Sequence, residues 1–147
     1  EHRQESVAKA LRMVPADVSI VLVHDAARPL VPVEVTQSVV EAIRKGAKAA
    51  IPVLPLVDTI KRVNNNGIAI ETVDRNQLRR VQTPQGFDRA TLDLAYENPE
   101  VVATDDAGLM DALGIAVITV AGDERSLKIT TMADVQHALS LLEATSE

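Results

Sequence analysis

Val18-Ser19-Ile20-Val21-Leu22-Val23 runs straight into His24-Asp25-Ala26-Ala27-Arg28-Pro29. The first half is a short, nearly unbroken apolar run, the pattern of a strand covered on both faces. The second half stops it with small, charged and rigid residues. Before it, Ser6 to Met13 reads as a short helix with Val7, Ala10 and Leu11 on one side. After it, Pro32 to Arg44 carries Val35, Val39, Ala42 and Ile43 on one helical stripe, with Gly46 as the stop. Ala49 to Val53 is a second buried strand. This strand–helix–strand order predicts a parallel sheet with a right-handed crossover. Further on, Leu92–Tyr96 and Asp105–Leu113 have helical spacing, and Ile115–Val120 is another apolar strand. The closing helix places Val135, Leu139 and Leu142 on one stripe behind a capping-box variant, Thr131-Met132-Ala133-Asp134. The expectation is an α/β fold in one domain over residues 1–147.

The middle of the chain departs from that rhythm. Asp58–Val63 and Ile68–Asp74 flank Asn64-Asn65-Asn66-Gly67, and Asn-Gly suits the positive φ angles of a tight hairpin turn. Leu78–Thr83 follows as a third extended piece. A domain of this size has little spare surface to cover the hairpin. The segment from about 58 to 84 is therefore expected to project as an arm and pack on a second copy of the chain. The competing reading makes it an edge extension of the main sheet.

Composition narrows the function. The 147 residues carry a net charge of −6 and no cysteine, which excludes disulfide scaffolds, thiol catalysis and Cys-ligated zinc. No apolar run approaches the ~20 residues that span a bilayer, and Glu1–Glu5 lacks a signal-peptide pattern, so a cytoplasmic protein without a membrane partner is expected. Residues 58–84 are net +2, whereas residues 85–147 are net −9. An anionic substrate therefore needs basic groups gathered locally against the overall field. Nucleic acid is not expected as a partner on this balance, and with Phe87 and Tyr96 the only aromatics stacking platforms are nearly absent.

Asp25 and Arg28 follow the first strand, where open α/β sheets place their ligands. They can bind a hydroxyl and a phosphate, hold a metal and its anion, or simply pair with each other across a turn. His24 reads as a packed strand-end residue. Lys128 lies between Leu127 and Ile129 on a short strand and points either to solvent or into a cleft. Thr104-Asp105-Asp106 is an N-cap with two acids favouring the helix dipole, or an anion site using Thr104. Arg75, Arg79 and Arg80 form a basic cluster suited to phosphate, or a solvated basic face. There is no G-x-x-x-x-G-K-[ST], G-x-G-x-x-G or G-x-S-x-G sequence.

Six segments occur in order: His24–Pro29, Asp58-Thr59-Ile60-Lys61, Thr72-Val73-Asp74-Arg75, Thr83-Pro84-Gln85, Thr104-Asp105-Asp106-Ala107 and Lys128-Ile129-Thr130. Together with Arg3-Gln4-Glu5-Ser6-Val7 they resemble the 2-C-methyl-D-erythritol 4-phosphate cytidylyltransferase family over essentially the whole chain. The family's opening strand and Gly-rich L-x-A-A-G-x-G-x-R loop are not in this sequence. The resemblance thus implies the C-terminal part of a Rossmann-like nucleotidyltransferase, with a projecting β-hairpin arm and little activity by itself. One departure is Leu127, where the family often has a polar or aromatic residue.

The resemblance further implies a homodimer that binds cytidine triphosphate (CTP), Mg²⁺ and a sugar-alcohol phosphate. Ser6 would contact the cytosine. Asp25 and Arg28 would hold the sugar alcohol near the ribose, with Asp25 also at the metal. Thr104 and Lys128 would contact the acceptor from the same subunit, and Thr59, Arg75 and Thr83 from the partner's arm. Arg75 and Lys128 would position the attacking phosphate. Two alternatives are a ribitol 5-phosphate cytidylyltransferase and a non-catalytic dimerisation fragment.

Overall fold

The computed structural model describes residues 3–97 and 103–144; the outer ends of the expected 1–147 span lie outside the described residues. Helix α1 (Arg3–Leu11) precedes strand β1 (Ile20–Val23). Helix α2 (Val33–Arg44) leads into β2 (Ala49–Pro55), with Gly46 at φ +107 breaking the helix as the sequence predicts. The hairpin strands are β3 (Ile60–Val63) and β4 (Ala69–Val73), followed by β5 (Arg79–Val81) and β6 (Gln85–Asp88). The remainder is α3 (Arg89–Tyr96), α4 (Asp106–Ala112), β7 (Val117–Ala121) and α5 (Met132–Ala144).

The main sheet is mixed rather than parallel. β6 sits between β1 and β2 and runs antiparallel to both, while β7 pairs parallel with β2 on its other side. β6 has no hydrophobic run to reveal it, since Gln85-Gly86-Phe87-Asp88 is a strand only because its two neighbours bond to it. Alternation across it splits the core. Ala49 pairs with Phe87, and both pack with Leu11, Leu92, Ala95, Leu109 and Met110 on the face of α1, α3 and α4. Ala50 pairs with Gly86 on the opposite face, where Val39 and Ile43 of α2 pack. A Cβ on Gly86 would stand 2.4 Å from Val39 Cγ1, so this glycine lets α2 lie close on the sheet.

Four further expectations are corrected. β1 is not covered on both faces: Leu22 is 36% exposed, and among the described residues β1 pairs with β6 alone. The 58–84 arm is shorter than expected, because β5 bonds antiparallel to the end of β2. Only β3 and β4 form a separate two-stranded sheet, so the hairpin does not extend the main sheet. Its turn is not the tight two-residue type. Asn64 O accepts from Gly67 N at 3.0 Å, and Gly67 alone among these residues has positive φ (+77), which is a three-residue loop closed by a glycine. On α5, Ala138 is buried, while Leu139 and Leu142 of the expected stripe are exposed.

The start of α5 follows its sequence signal closely. Asp134 Oδ2 accepts from the backbone N–H and hydroxyl of both Thr130 and Thr131, at 2.7–2.9 Å. These bonds hold its carboxyl at a pKa of about 2, below the ordinary ~3.9. A depressed folded-state pKa adds stability above the unfolded value, and that contribution is lost as pH falls through the folded value. Asp134→Asn should therefore lower Tm at pH 7, with the gap to wild type closing towards pH 2. Thermal melts of both proteins across that range check this.

Candidate active site

β1 ends at Val23, and the next residues turn sharply, with Arg28 N donating to Asp25 O at 2.9 Å. Asp25 N donates to Thr83 Oγ1 at 3.0 Å, which ties the turn to the β5–β6 connection. Thr83 Oγ1 also lies 2.9 Å from His24 Nδ1, and His24 Nε2 lies 3.2 Å from Arg28 O. A carbonyl can only accept, so Nε2 carries a proton and donates to Arg28 O. His24 is thus an exposed strap across the turn, not the packed residue expected from its position.

The second wall is the segment after β7. Asp123 accepts from Arg125 N at 2.8 Å and opens a 3-10 turn over Glu124–Ser126. Arg28 Nη1 donates to Ser126 O at 2.6 Å, and Ile129 N donates to Ala27 O at 2.8 Å. The extended Leu127–Lys128 stretch is consequently laid against the Asp25 turn, and it is a coil rather than the expected strand.

Within this frame Asp25 Oδ2 meets two cations: Arg28 Nε at 3.3 Å and Lys128 Nζ at 3.4 Å. Partial burial pushes the Asp25 carboxyl up, but the charge and hydrogen bond of Lys128, followed by those of Arg28, outweigh it. The net result is a carboxyl below the usual range. Arg28 is largely buried, at 12% side-chain exposure, whereas Lys128 is half exposed. Lys128 therefore neither floats in solvent nor hides in a cleft. The cluster carries two cations against one carboxylate, and it sets Lys128 of the acidic last third beside Arg28 of the first strand's exit turn. Ser126 is fully buried, and its Oγ has no hydrogen-bond partner among the described residues. Ser126→Ala should leave stability unchanged or raise it by up to about 1 kcal/mol, since an unpaired buried hydroxyl is only a desolvation cost. A loss larger than that in urea titration would reveal a partner for this hydroxyl.

The structure brings Asp25, Arg28, Thr83 and Lys128 together in one chain. Thr83 is a correction: it is buried behind the Asp25 turn of its own chain and does not lie on the hairpin. Thr104 is exposed just before α4; the helix cap is Asp105, whose Oδ1 accepts from Gly108 N at 3.0 Å. Asp106 does not face an anion either, being fully buried and accepting from the Tyr96 hydroxyl. Ser6 lines a groove of about 320 Å³ between α1 and β1, which His24 also lines. Arg75 and Thr59 sit at the base of the hairpin, where Arg75 Nη1 donates to Val57 O. The basic cluster is dispersed, with Arg80 on Glu124 at 2.6 Å and Arg79 on Asn76 O at 2.9 Å.

Among the described residues no group of three His, Asp or Glu side chains is placed to hold a metal. A site for a phosphate-bound Mg²⁺ needs less, commonly one or two carboxylates with substrate oxygens completing the shell. Asp25 fits that requirement. Both cations grip its Oδ2, and among the described residues no hydrogen bond ends on Oδ1.

The mixed sheet with helices on both faces is the Rossmann-like fold of the nucleotidyltransferases that it superposes on. Its solved neighbours carry the same architecture. The 2-C-methyl-D-erythritol 4-phosphate cytidylyltransferase of Thermus thermophilus superposes with a TM-score of 0.84 at 39% identity, over 95% of this chain and 68% of that one. The 4-diphosphocytidyl-2C-methyl-D-erythritol synthase of Anaerococcus prevotii gives 0.89 at 29% identity, over 97% and 67%. The chain belongs to the family described as IspD: 2-C-methyl-D-erythritol 4-phosphate cytidylyltransferase, whose model matches residues 1–144. The curated relative of that name from Frankia casuarinae is 50% identical over 140 residues. The match takes in 95% of this chain and 53% of the relative, so the chain spans about half the relative's length. No helix among the described residues is long and apolar enough to cross a membrane.

Of the residues in the motifs that carry the resemblance, Asp25, Arg28, Thr83 and Lys128 meet in this cluster. Gln82 and the Ser126 carbonyl leave no mark in a charge or motif scan, and Gln85 stands there only as the last residue of the Thr83-Pro84-Gln85 segment, with no role attached to it.

Proposed function

We propose that this chain forms the acceptor side of a cytoplasmic, homodimeric cytidylyltransferase that joins CTP to 2-C-methyl-D-erythritol 4-phosphate. A phosphate oxygen of the acceptor attacks the α-phosphorus of CTP in line. That O–P bond forms as the bond to the β-phosphate oxygen breaks, pyrophosphate leaves, and 4-diphosphocytidyl-2-C-methyl-D-erythritol results. Two polyanions must meet, so placement and charge neutralisation carry the catalysis. The observation that supports this reading is the Asp25 carboxylate held between Arg28 and Lys128 at the end of β1.

In this reading Lys128, half exposed, leaves Asp25 to grip the acceptor phosphate. Arg28 stays on Asp25 and the Ser126 carbonyl, keeping the carboxylate aimed at hydroxyls of the acceptor. Thr83 and His24 brace the turn from within the same chain. Thr104 contacts the acceptor from the start of α4, and Ser6 meets the cytosine base beside the α1–β1 groove. Thr59 and Arg75 act in trans, from the hairpin of the partner subunit. Asp25 would hold the divalent cation, which when bound neutralises phosphate charge.

The test is pyrophosphate release by the full-length gene product with CTP and either methylerythritol phosphate or ribitol 5-phosphate. Turnover of the first acceptor is expected. Turnover of ribitol 5-phosphate alone, or of neither, overturns the proposal, the latter in favour of a non-catalytic dimerisation role.

A further inference from the structure

We infer that Gln82 and Gln85 are the positioning residues of the acceptor site, two buried amides of which one sets Lys128 against the Asp25 turn and the other fixes the start of α4 beside Thr104; this rests on the function proposed above. Both are buried, at 5% and 1% exposure, and both flank Thr83-Pro84. Gln82 donates from Nε2 to Asp123 O at 2.8 Å and accepts at Oε1 from Asp123 N at 3.1 Å. Its amide therefore pairs with the backbone of one residue, as a neighbouring strand would. Gln85 donates from Nε2 to Asp105 Oδ2 at 2.7 Å and accepts at Oε1 from Ala107 N at 3.1 Å. The first grips the start of the segment that carries Ser126 and Lys128. The second grips the start of α4, next to Thr104.

The surroundings are built around these amides. Gln82 N donates to Pro52 O, and Gly122 N donates to Val53 O, both at 2.9 Å, so both backbones hang from β2. A Cβ on Gly122 would lie 2.3 Å from Gln82 Oε1 and 3.0 Å from Val53 O, leaving room there for glycine only. The Lys128 segment is thus strapped at two points, by Gln82 at Asp123 and by Ala27 O at Ile129. Between the straps Lys128 Nζ comes to 3.4 Å from Asp25 Oδ2. A buried amide is tolerated only when its bonds are made, so its loss also strands the Asp123 backbone groups. Thr83, between the two glutamines, bonds the Asp25 turn itself through Asp25 N. The four residues Gln82–Gln85 therefore join three loops that are remote in sequence.

Gln82→Leu and Gln85→Leu in the full-length gene product test this, read by hydrogen exchange and by kinetics. In Gln82→Leu, exchange at Asp123 and Ile129 should speed by about 10-fold or more, with Ala107 and Gly108 unchanged. Gln85→Leu should show the reverse. In Gln82→Leu the acceptor KM should rise by about 10-fold while the CTP KM stays within about twofold. In Gln82→Glu the acceptor KM should be raised at neutral pH, where the carboxylate faces Asp123 O, and fall as pH drops and the protonated acid regains a donor. Uniform exchange changes, unchanged exchange at Ile129, or a folded Gln82→Leu enzyme with wild-type acceptor KM would each overturn the inference. If wild type turns over neither sugar phosphate, the proposed function fails, while the exchange pattern still decides the clamp.

Discussion

Subunits carrying Arg75→Ala, mixed with subunits carrying Lys128→Ala, should regain activity that neither variant has alone. On the shared site proposed above, each homodimer lacks one cation at both of its sites. In a mixed dimer one site combines Lys128 of one subunit with Arg75 of the other, and the second site lacks both. Random exchange makes half the dimers mixed, so recovery to roughly a quarter of wild-type turnover is expected. Two structural features favour crossing. Arg75 donates to Val57 O at the base of the hairpin rather than to the Asp25 cluster. The hairpin also exposes Val63 and Ile70 on its strands and Ile68 in its loop, a surface suited to a second copy. CTP binding to Arg75→Ala should be nearly unchanged, because Arg75 is assigned to the acceptor. If heterodimers form, as native mass spectrometry would show, and activity stays absent, the shared site is wrong.

Phe87→Ala should be the most damaging single change to the fold. Phe87 is fully buried on β6 and packs with Leu92, Leu109 and Met110. Truncating such a ring costs about 3–5 kcal/mol through lost burial and the cavity left behind. Folded domains have only ~5–15 kcal/mol in hand, so most of the protein's stability would go. Chemical denaturation should show the midpoint falling with an unchanged slope, and Phe87→Leu should recover much of the loss. A cost under about 1 kcal/mol would mean that the α3–α4 face is not the principal core.

Elements with a local cause were legible in the residues alone. The period of α2, the Gly46 stop, the Asp134 cap and the existence of the 60–73 hairpin all rest on residues within a few positions of one another. Asp25 and Arg28 also follow a local signal, the charged end of a strand, but the residues alone leave a ligand site and a mutual ion pair both open, and the two side chains do pair. Sheet direction was another matter. A strand–helix–strand order makes a parallel neighbour the natural expectation, yet β6, with no apolar run, slots between β1 and β2 and reverses the pairing. It took the folded chain to show that Lys128 meets Asp25, that Thr83 serves its own chain, and that Gln82 and Gln85 fasten the surrounding loops. Those contacts join residues far apart in the chain through single hydrogen bonds and charges. Such bonds depend on where the backbone has already been carried, and no period or composition encodes them in advance.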